Sequence, residues 1–347
     1  MIAHGDDTYN YDDIRLNFSS NVYSHFDHTR LFRYLSEQMS CVASYPEPTP
    51  TSLEQRLADC LHVGVQNLMV TNGATEAIYL IAQAFSDHVP VIPQPTFSEY
   101  EQASKLFNHH PSTTFNFQLS TFNFHPSTTF NSQLSTFNLI WLCNPNNPTG
   151  TVLQKNDVKK LFSQYDVVVI DQSYEPYYDG QLFTAEEITQ YDNVIMLRSM
   201  TKEYGIPGLR LGYLVGAEAV LRRLRRLRMP WSVNALAIQA GHYLLQHTDD
   251  YVVPTQLLCS ERERVAHALN ATGHIDALPS DTHMLLCRLH HGSASELKDT
   301  LARQHGILIR DASNFTGLDH RYFRIAVQHP EENDILIDSI NTTIEQS

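Results

Sequence analysis

Short apolar runs bounded by turn-forming residues recur along the first two thirds of the chain. They predict strands at 68–70, 89–92, 139–143, 167–170, 194–197 and 211–215. Between these runs the pattern of apolar and polar positions favours helices, among them 53–61, capped by Thr51 or Ser52, and 76–85. Apolar strands that alternate with helices are typical of a sheet covered on both faces. The pattern therefore predicts an α/β fold with a mostly parallel sheet.

The pattern changes near residue 235. From there it indicates long helices, a few strands and a closing helix at about 331–345, which is typical of a smaller α+β domain. We therefore expect a large domain at 41–234, and a small domain built from 1–40 and 235–347.

Composition narrows the class of protein. The chain has 347 residues, 42% of them hydrophobic, and a net charge of −14, which argues against a nucleic-acid partner. Its five cysteines are scattered without a CxxC pair, and its histidines form no metal-binding pattern, so we predict a cytoplasmic protein without a metal. We also see no signal peptide at the N-terminus and no apolar run long enough for a membrane span.

Two segments stand out without suggesting chemistry. The stretch 110–124 is repeated almost letter for letter at 125–139, which we interpret as a duplication in a peripheral part of the large domain. The basic run Arg222–Arg228 carries leucines at helical spacing, which favours a solvated or subunit-contacting helix over nucleic-acid binding.

The most informative residue is Lys202. It follows the apolar run 194–197 on a tight turn, with the hydroxyl of Ser199 shortly before it and Arg210 eight residues after it. A lysine at the end of a buried strand is costly, so it usually has a function. Hydroxyls and a guanidinium beside an amine would cradle a phosphate next to a nucleophile. A lysine that binds pyridoxal phosphate as a Schiff base needs such surroundings.

Four further motifs agree with this chemistry. The turn 72–75 precedes a helix, where free N–H groups bind phosphate. The loop 143–150 (CNPNNPTG) follows a strand. Asp171 ends another strand, and opposite a pyridine nitrogen it would keep the ring protonated. Arg324, on a late strand, would clamp a substrate carboxylate in two-pronged fashion.

Together these motifs resemble the fold-type-I pyridoxal-phosphate enzymes of the class I/II aminotransferase family over nearly the whole chain. The resemblance implies the aspartate-aminotransferase-like fold, with seven strands in the large-domain sheet, and pyridoxal 5'-phosphate as the cofactor. It also implies a homodimer with shared active sites. The implied cofactor residues are Lys202 as the Schiff-base lysine, Asp171 at the ring nitrogen, Asn147 and Tyr174 at the ring hydroxyl, Phe97 stacked on the ring with Tyr100 as a weaker candidate, Gly73, Ala74, Thr75, Ser199 and Arg210 at the phosphate, and Tyr45 at the phosphate of the neighbouring subunit.

Within this family the stretches 229–237, 307–310 and 317–322 resemble the threonine-phosphate decarboxylases of cobalamin synthesis more than the histidinol-phosphate aminotransferases. That likeness implies a small phosphorylated substrate held by His4, Asn21, Arg310 and Arg324. Decarboxylation is the expected reaction and transamination the alternative, since the same residues serve both. A third interpretation, a cofactor-binding regulator or sensor, is disfavoured because Lys202 and Asp171 are both present.

Overall fold

The computed structural model describes residues 5–107 and 137–345. Its strands are β1 Leu16–Asn17, β2 Leu68–Thr71, β3 Val89–Val91, β4 Phe137–Cys143, β5 Val167–Asp171, β6 Val194–Ser199, β7 Gly212–Gly216, β8 Ile275–Ala277, β9 Met284–Leu289, β10 Ile307–Leu308, β11 Arg310–Asp311 and β12 Tyr322–Ala326. Its helices are α1 Thr29–Glu37, α2 Thr51–Cys60, α3 Gly73–Ala84, α4 Glu99–Leu106, α5 Lys155–Leu161, α6 Ala185–Ile188, α7 Met200–Tyr204, α8 Glu218–Arg225, α9 Ala235–Leu244, α10 Thr255–Ala271, α11 Ala294–His305 and α12 Pro330–Glu345.

The large sheet has the strand order β2-β7-β6-β5-β4-β3. Strands β3 to β6 pair in parallel, and β7 runs antiparallel to both of its neighbours. All residues of β2, β5 and β7 are buried, as expected for strands covered by helices on both faces. The predicted α/β class and mostly parallel sheet are confirmed. The described residues contain six of the seven strands that we expected.

The predicted strands all form, but two details at helix starts differ. Helix α3 begins at Gly73 rather than at residue 76. The predicted side-chain cap of α2 is wrong, because Pro50 takes the cap position and makes no side-chain hydrogen bond. Instead, Glu47 lies before the helix and its carboxylate accepts a 2.9 Å hydrogen bond from the Ser52 amide. The carboxylate of Glu47 therefore satisfies an amide at the start of the helix, which the hydroxyl of Thr51 or Ser52 was expected to do.

A second sheet, with the order β11-β12-β9-β8, is antiparallel throughout. Strands β1 and β10 form a separate parallel pair that joins the N-terminal segment to the C-terminal part of the chain. Within the second sheet Arg310 of β11 pairs directly with Arg324 of β12, which places the two arginines side by side.

The domain boundaries at 41 and 235 stay predictions. Helix α9 packs against α1 and α2.

The basic run is only partly solvated. Arg222 and Arg223 are exposed, as predicted, while Leu221 and Leu224 are fully buried. Arg225 instead points inward and donates to main-chain carbonyls, including those of Val65 and Gln66. Arg228 makes a 2.7 Å ion pair with Glu54, and both side chains are nearly inaccessible. The expectation of a solvated or subunit-contacting helix is therefore wrong for Arg225 and Arg228, which donate to the Leu68 and Val70 carbonyls of the edge strand β2.

Two remaining expectations concern the repeat and the membrane. All of the repeat except residues 137–139, which begin β4, lies outside the described residues. Among the helices of the described part, none combines the length and the apolar character needed to cross a bilayer.

Candidate active site

The site lies where strands β2, β4, β5 and β6 end on one edge of the large sheet. Asp171 is the last residue of β5, and the one-turn helix α7 with Lys202 begins directly after β6. Helix α3 starts after β2, which points in the same direction as β6. Side chains that follow parallel strands meet at this edge, which is where α/β sheets place ligands.

A cavity of about 210 Å³ opens at this edge. It is lined by residues from the N-terminal segment, from the loops after the strands and from β11 and β12: Gly5, Asp6, Ser19, Ser20, Asn21, Val22, Phe97, Ser98, Asn147, Lys202, Pro207, Arg310, Phe315 and Arg324. The structure therefore brings Lys202 together with Asn21, Asn147, Phe97, Arg310 and Arg324, six residues that the sequence predicted for one site.

The amine of Lys202 is fixed by a chain of hydrogen bonds. Its Nζ donates to Asn21 Oδ1, and Asn21 Nδ2 in turn donates to the Tyr174 hydroxyl. Burial lowers the pKa of Lys202 to about 7, and the positive charges of Arg324 and Arg210 contribute in the same direction. A substantial fraction of the amine is therefore neutral, and hence nucleophilic, near neutral pH.

Asp171 lies buried beside the cavity. Its Oδ2 accepts a 2.7 Å hydrogen bond from the Tyr100 hydroxyl and its Oδ1 a 2.9 Å bond from the Ser173 amide. Burial raises the pKa of Asp171, although these two hydrogen bonds and the charge of Lys202 oppose the rise. A cationic or donating partner opposite Asp171 would favour the ionised carboxylate.

The start of α3 forms a tight cradle. Gly73 has a φ of +72°, and a Cβ at this position would lie 2.6 Å from Arg210 Nη2. A Cβ on Gly212 would lie 2.9 Å from the Ala74 amide nitrogen, and Gly212 pairs in turn with Ser199 of β6. The predicted phosphate residues 73–75, Ser199 and Arg210 therefore converge on one helix N-terminus, where amide groups face outward.

The two arginines from the second sheet enter from the other side. Arg324 is almost fully buried, donates to Asn147 Oδ1 at 2.6 Å and to the Ser19 carbonyl at 2.5 Å, and burial lowers its pKa to about 10. Its Nε has no hydrogen-bond partner among the described residues. Arg310 donates to Asn314 Oδ1 at 2.8 Å, with its guanidinium over the Phe315 ring. Buried guanidinium groups of this kind suit an anionic ligand.

Three predicted residues need separate mention. Tyr45 is 86% exposed and packs against Trp231 with the ring planes tilted by 41°, and it is not among the residues that line the cavity of its own chain. His4 lies outside the described residues. Tyr100, the weaker stacking candidate, is buried against Trp141 and bonded to Asp171, so of the two stacking candidates it is Phe97 that lines the cavity.

Sequence reasoning missed features of the site at Tyr100 and at Asp6. Tyr100 was considered only as a stacking ring, whereas its hydroxyl is a donor to Asp171. Asp6 was not considered, although it lines the cavity and its φ of +62° is uncommon for a residue other than glycine. Its position two residues after His4 was the available signal.

Comparisons with known proteins show the family to which the chain belongs. The family model described as aminotransferase class I and II matches residues 13–340. The chain belongs to this family. It is 35% identical to the L-threonine-O-3-phosphate decarboxylase of Porphyromonas gingivalis, whose crystal structure superposes with a TM-score of 0.88 over 95% of this chain and 99% of that one.

Two curated relatives also match this chain over most of its length and over most of their own. The threonine-phosphate decarboxylase of Salmonella typhimurium is 28% identical over 95% of this chain and 91% of its own length. The histidinol-phosphate aminotransferase of Caldanaerobacter subterraneus subsp. tengcongensis is 30% identical over 85% and 83%. The protein is a pyridoxal-phosphate-dependent enzyme of this family.

The residues present fit pyridoxal phosphate. The glycine at the start of α3 leaves room beneath the Arg210 guanidinium that a Cβ would fill, as a phosphate-binding turn requires. Asp171 is a buried acceptor suited to a protonated ring nitrogen, and Lys202 offers an amine with a lowered pKa. Lys202, Asp171 and the cradle would hold the carbonyl, ring-nitrogen and phosphate ends of the cofactor, respectively.

The cradle gives a direct test. We expect Gly73→Ala to weaken binding of pyridoxal phosphate by about tenfold or more, because the new methyl group meets the Arg210 guanidinium in a backbone conformation that alanine disfavours. Fluorescence titration of the cofactor-free protein measures the affinity. Gly208→Ala is the matched control, since a Cβ there meets nothing within 4 Å. Equal affinities for the two variants would contradict a phosphate site at this turn.

Proposed function

We propose that the enzyme decarboxylates L-threonine O-3-phosphate to aminopropanol phosphate. The observation that carries this proposal is the pair Arg310 and Arg324, adjacent across β11 and β12 and both lining the cavity that holds the Lys202 amine. A substrate with a carboxylate and a phosphate offers one anion to each. The 35% identity to a structure named for this activity supports the choice. Such a product would serve cobalamin synthesis, as the resemblance implies.

Each side chain of the site has a separate role in the proposed reaction. The bound cofactor supplies an electron sink for the pair released when a bond to the substrate Cα breaks. Asp171 keeps a proton on the ring nitrogen. Arg324, fixed by Asn147 and the Ser19 carbonyl, orients the substrate carboxylate, and Arg310 binds the phosphate. Once CO₂ has left, the amine of Lys202 returns a proton to Cα.

Transamination of histidinol phosphate is the second candidate. A histidinol-phosphate aminotransferase is 30% identical over 85% of this chain, whereas the Salmonella typhimurium threonine-phosphate decarboxylase is 28% identical over 95% of it. The same residues would serve, with Lys202 removing the Cα proton instead of donating one. Decarboxylation breaks the bond from Cα to the carboxylate, whereas transamination breaks the bond from Cα to hydrogen.

Product analysis separates the candidates. We expect the enzyme loaded with pyridoxal phosphate to release CO₂ and aminopropanol phosphate from L-threonine O-3-phosphate. We expect Arg310→Met to raise KM for this substrate by about 30-fold or more, because the phosphate loses a buried charged partner. The activity with unphosphorylated L-threonine, which has no phosphate to lose, should change little. Conversion of the cofactor to its amine form by histidinol phosphate, without CO₂ from threonine phosphate, would transfer the assignment to the aminotransferase.

We also infer a homodimer in which Tyr45 reaches the partner's phosphate cradle. Tyr45 packs against Trp231 with 5.3 Å between ring centroids, and Met39, Val42 and Met229 are also exposed apolar side chains of these segments. Covering such a surface with a second copy would bury it. Light scattering should give twice the mass of one chain, and a monomer at micromolar concentration would contradict the inference.

The five free cysteines fit the reducing cytoplasm, where we place the enzyme.

A further inference from the structure

Tyr177 makes two hydrogen bonds that lie just outside the cavity. It ends a short 3-10 helix, Glu175–Tyr177, three residues after Tyr174, and its side chain is only 1% exposed. The hydroxyl donates to the main-chain carbonyl of Lys202 at 2.8 Å and accepts from the amide of Tyr23, also at 2.8 Å. Burial raises the pKa of Tyr177, so the hydroxyl stays protonated and remains a donor.

The first of these bonds supports a helix too short to support itself. Helix α7 has five residues, Met200–Tyr204, and ends at Gly205 in the left-handed conformation. The last carbonyls of any helix lack partners within it. In α7 the carbonyl of Lys202 is satisfied by Tyr177 and that of Tyr204 by His28, at 2.8 Å in both cases. The orientation of the turn that carries the amine therefore depends on tertiary contacts.

The second bond acts on the other partner of the amine. Tyr23 lies two residues after Asn21, whose side-chain oxygen accepts from Lys202 Nζ. The Tyr177 hydroxyl thus holds the main chain of Lys202 and the segment that carries Asn21 at the same time. These contacts form a closed loop of interactions. It runs from the Tyr177 hydroxyl to the Lys202 carbonyl, then along the Lys202 side chain to Asn21, and then along the main chain to Tyr23, whose amide donates to the Tyr177 hydroxyl.

The aromatic ring of Tyr177 is itself fixed by a second buried side chain. His283 stacks on it with 3.8 Å between ring centroids and 22° between the ring planes. His283 is fully buried, and burial together with the charge of Arg324 lowers its pKa to about 3. The imidazole is therefore neutral near neutral pH, and the stack adds no charge beside the lysine.

We propose that Tyr177 is a positioning residue for Lys202. The Tyr177 hydroxyl sets the distance between the Lys202 amine and Asn21, because it holds the main chains of both segments. The inference rests on the proposed role of Lys202 as the reactive amine. It assigns to Tyr177 no contact with cofactor or substrate. Its effect is to keep Nζ in the cavity and out of water.

Tyr177→Phe keeps the ring and its stack on His283 and removes both hydrogen bonds. In the cofactor-free protein, the pH dependence of Lys202 acylation, followed by peptide mass spectrometry, should have a midpoint near 7 in the wild type. In the variant we expect the midpoint to rise by about one pH unit, because a loosened amine reaches water and regains part of its usual basicity. Tyr243→Phe is the matched control, since Tyr243 is also buried and stacks on a histidine, His247, but lies in α9. Its midpoint should equal that of the wild type.

The loaded enzyme provides an independent readout. With the substrate that turns over, Tyr177→Phe should lower kcat about tenfold and leave KM within about twofold, because substrate contacts are intact. An unchanged Lys202 midpoint, an equal shift in Tyr243→Phe, or a loss confined to KM would each overturn the proposal. If Tyr177→Phe does not fold, His283→Leu should shift the midpoint in the same direction, and no shift there would also overturn it. The acylation profile needs no substrate, so failure to decarboxylate threonine phosphate leaves this test intact.

Discussion

The organisation of the site depends on one electrostatic constraint: three basic side chains, Lys202, Arg310 and Arg324, share a cavity of about 210 Å³. Asp6 is the one acid among its lining residues. Burial lowers the pKa of Lys202 to about 7, and the charge of Arg324 contributes in the same direction. Such a cavity favours ligands that bring negative charge. The substrate proposed above, a phosphorylated amino acid, would supply that charge, and the cofactor phosphate would supply more at the start of α3.

The fold meets this constraint by holding each cation from a different element. Lys202 follows a parallel strand of the large sheet, whereas both arginines stand on neighbouring strands of the antiparallel sheet. The N-terminal segment lies between them, since Asn21 accepts from Lys202 and the Ser19 carbonyl accepts from Arg324. Changes in how the second sheet packs on the first would therefore alter the distance between amine and guanidinium groups.

The sequence predicts best what depends on local pattern. Apolar runs located the strands of the large sheet, and polar residues just after those runs located Asp171 and Lys202. Contacts between distant segments left no local signal. The Tyr100 hydroxyl on Asp171 joins residues 71 positions apart, and the inward turn of Arg228 to Glu54 joins residues 174 apart. The cap of α2 was mispredicted for a different, local reason, because the carboxylate of Glu47, five residues before Ser52, replaced the hydroxyl that was expected.

The central claim is that Lys202 is the residue that binds the cofactor in this cavity. The most direct measurement is peptide mapping of the holoenzyme after borohydride reduction, which makes the link between an amine and pyridoxal phosphate permanent. The account predicts one pyridoxyl group per chain, located on the peptide that contains Lys202, and none in Lys202→Ala. A modified peptide containing any other lysine in place of Lys202, or an unmodified chain with full activity, would contradict it.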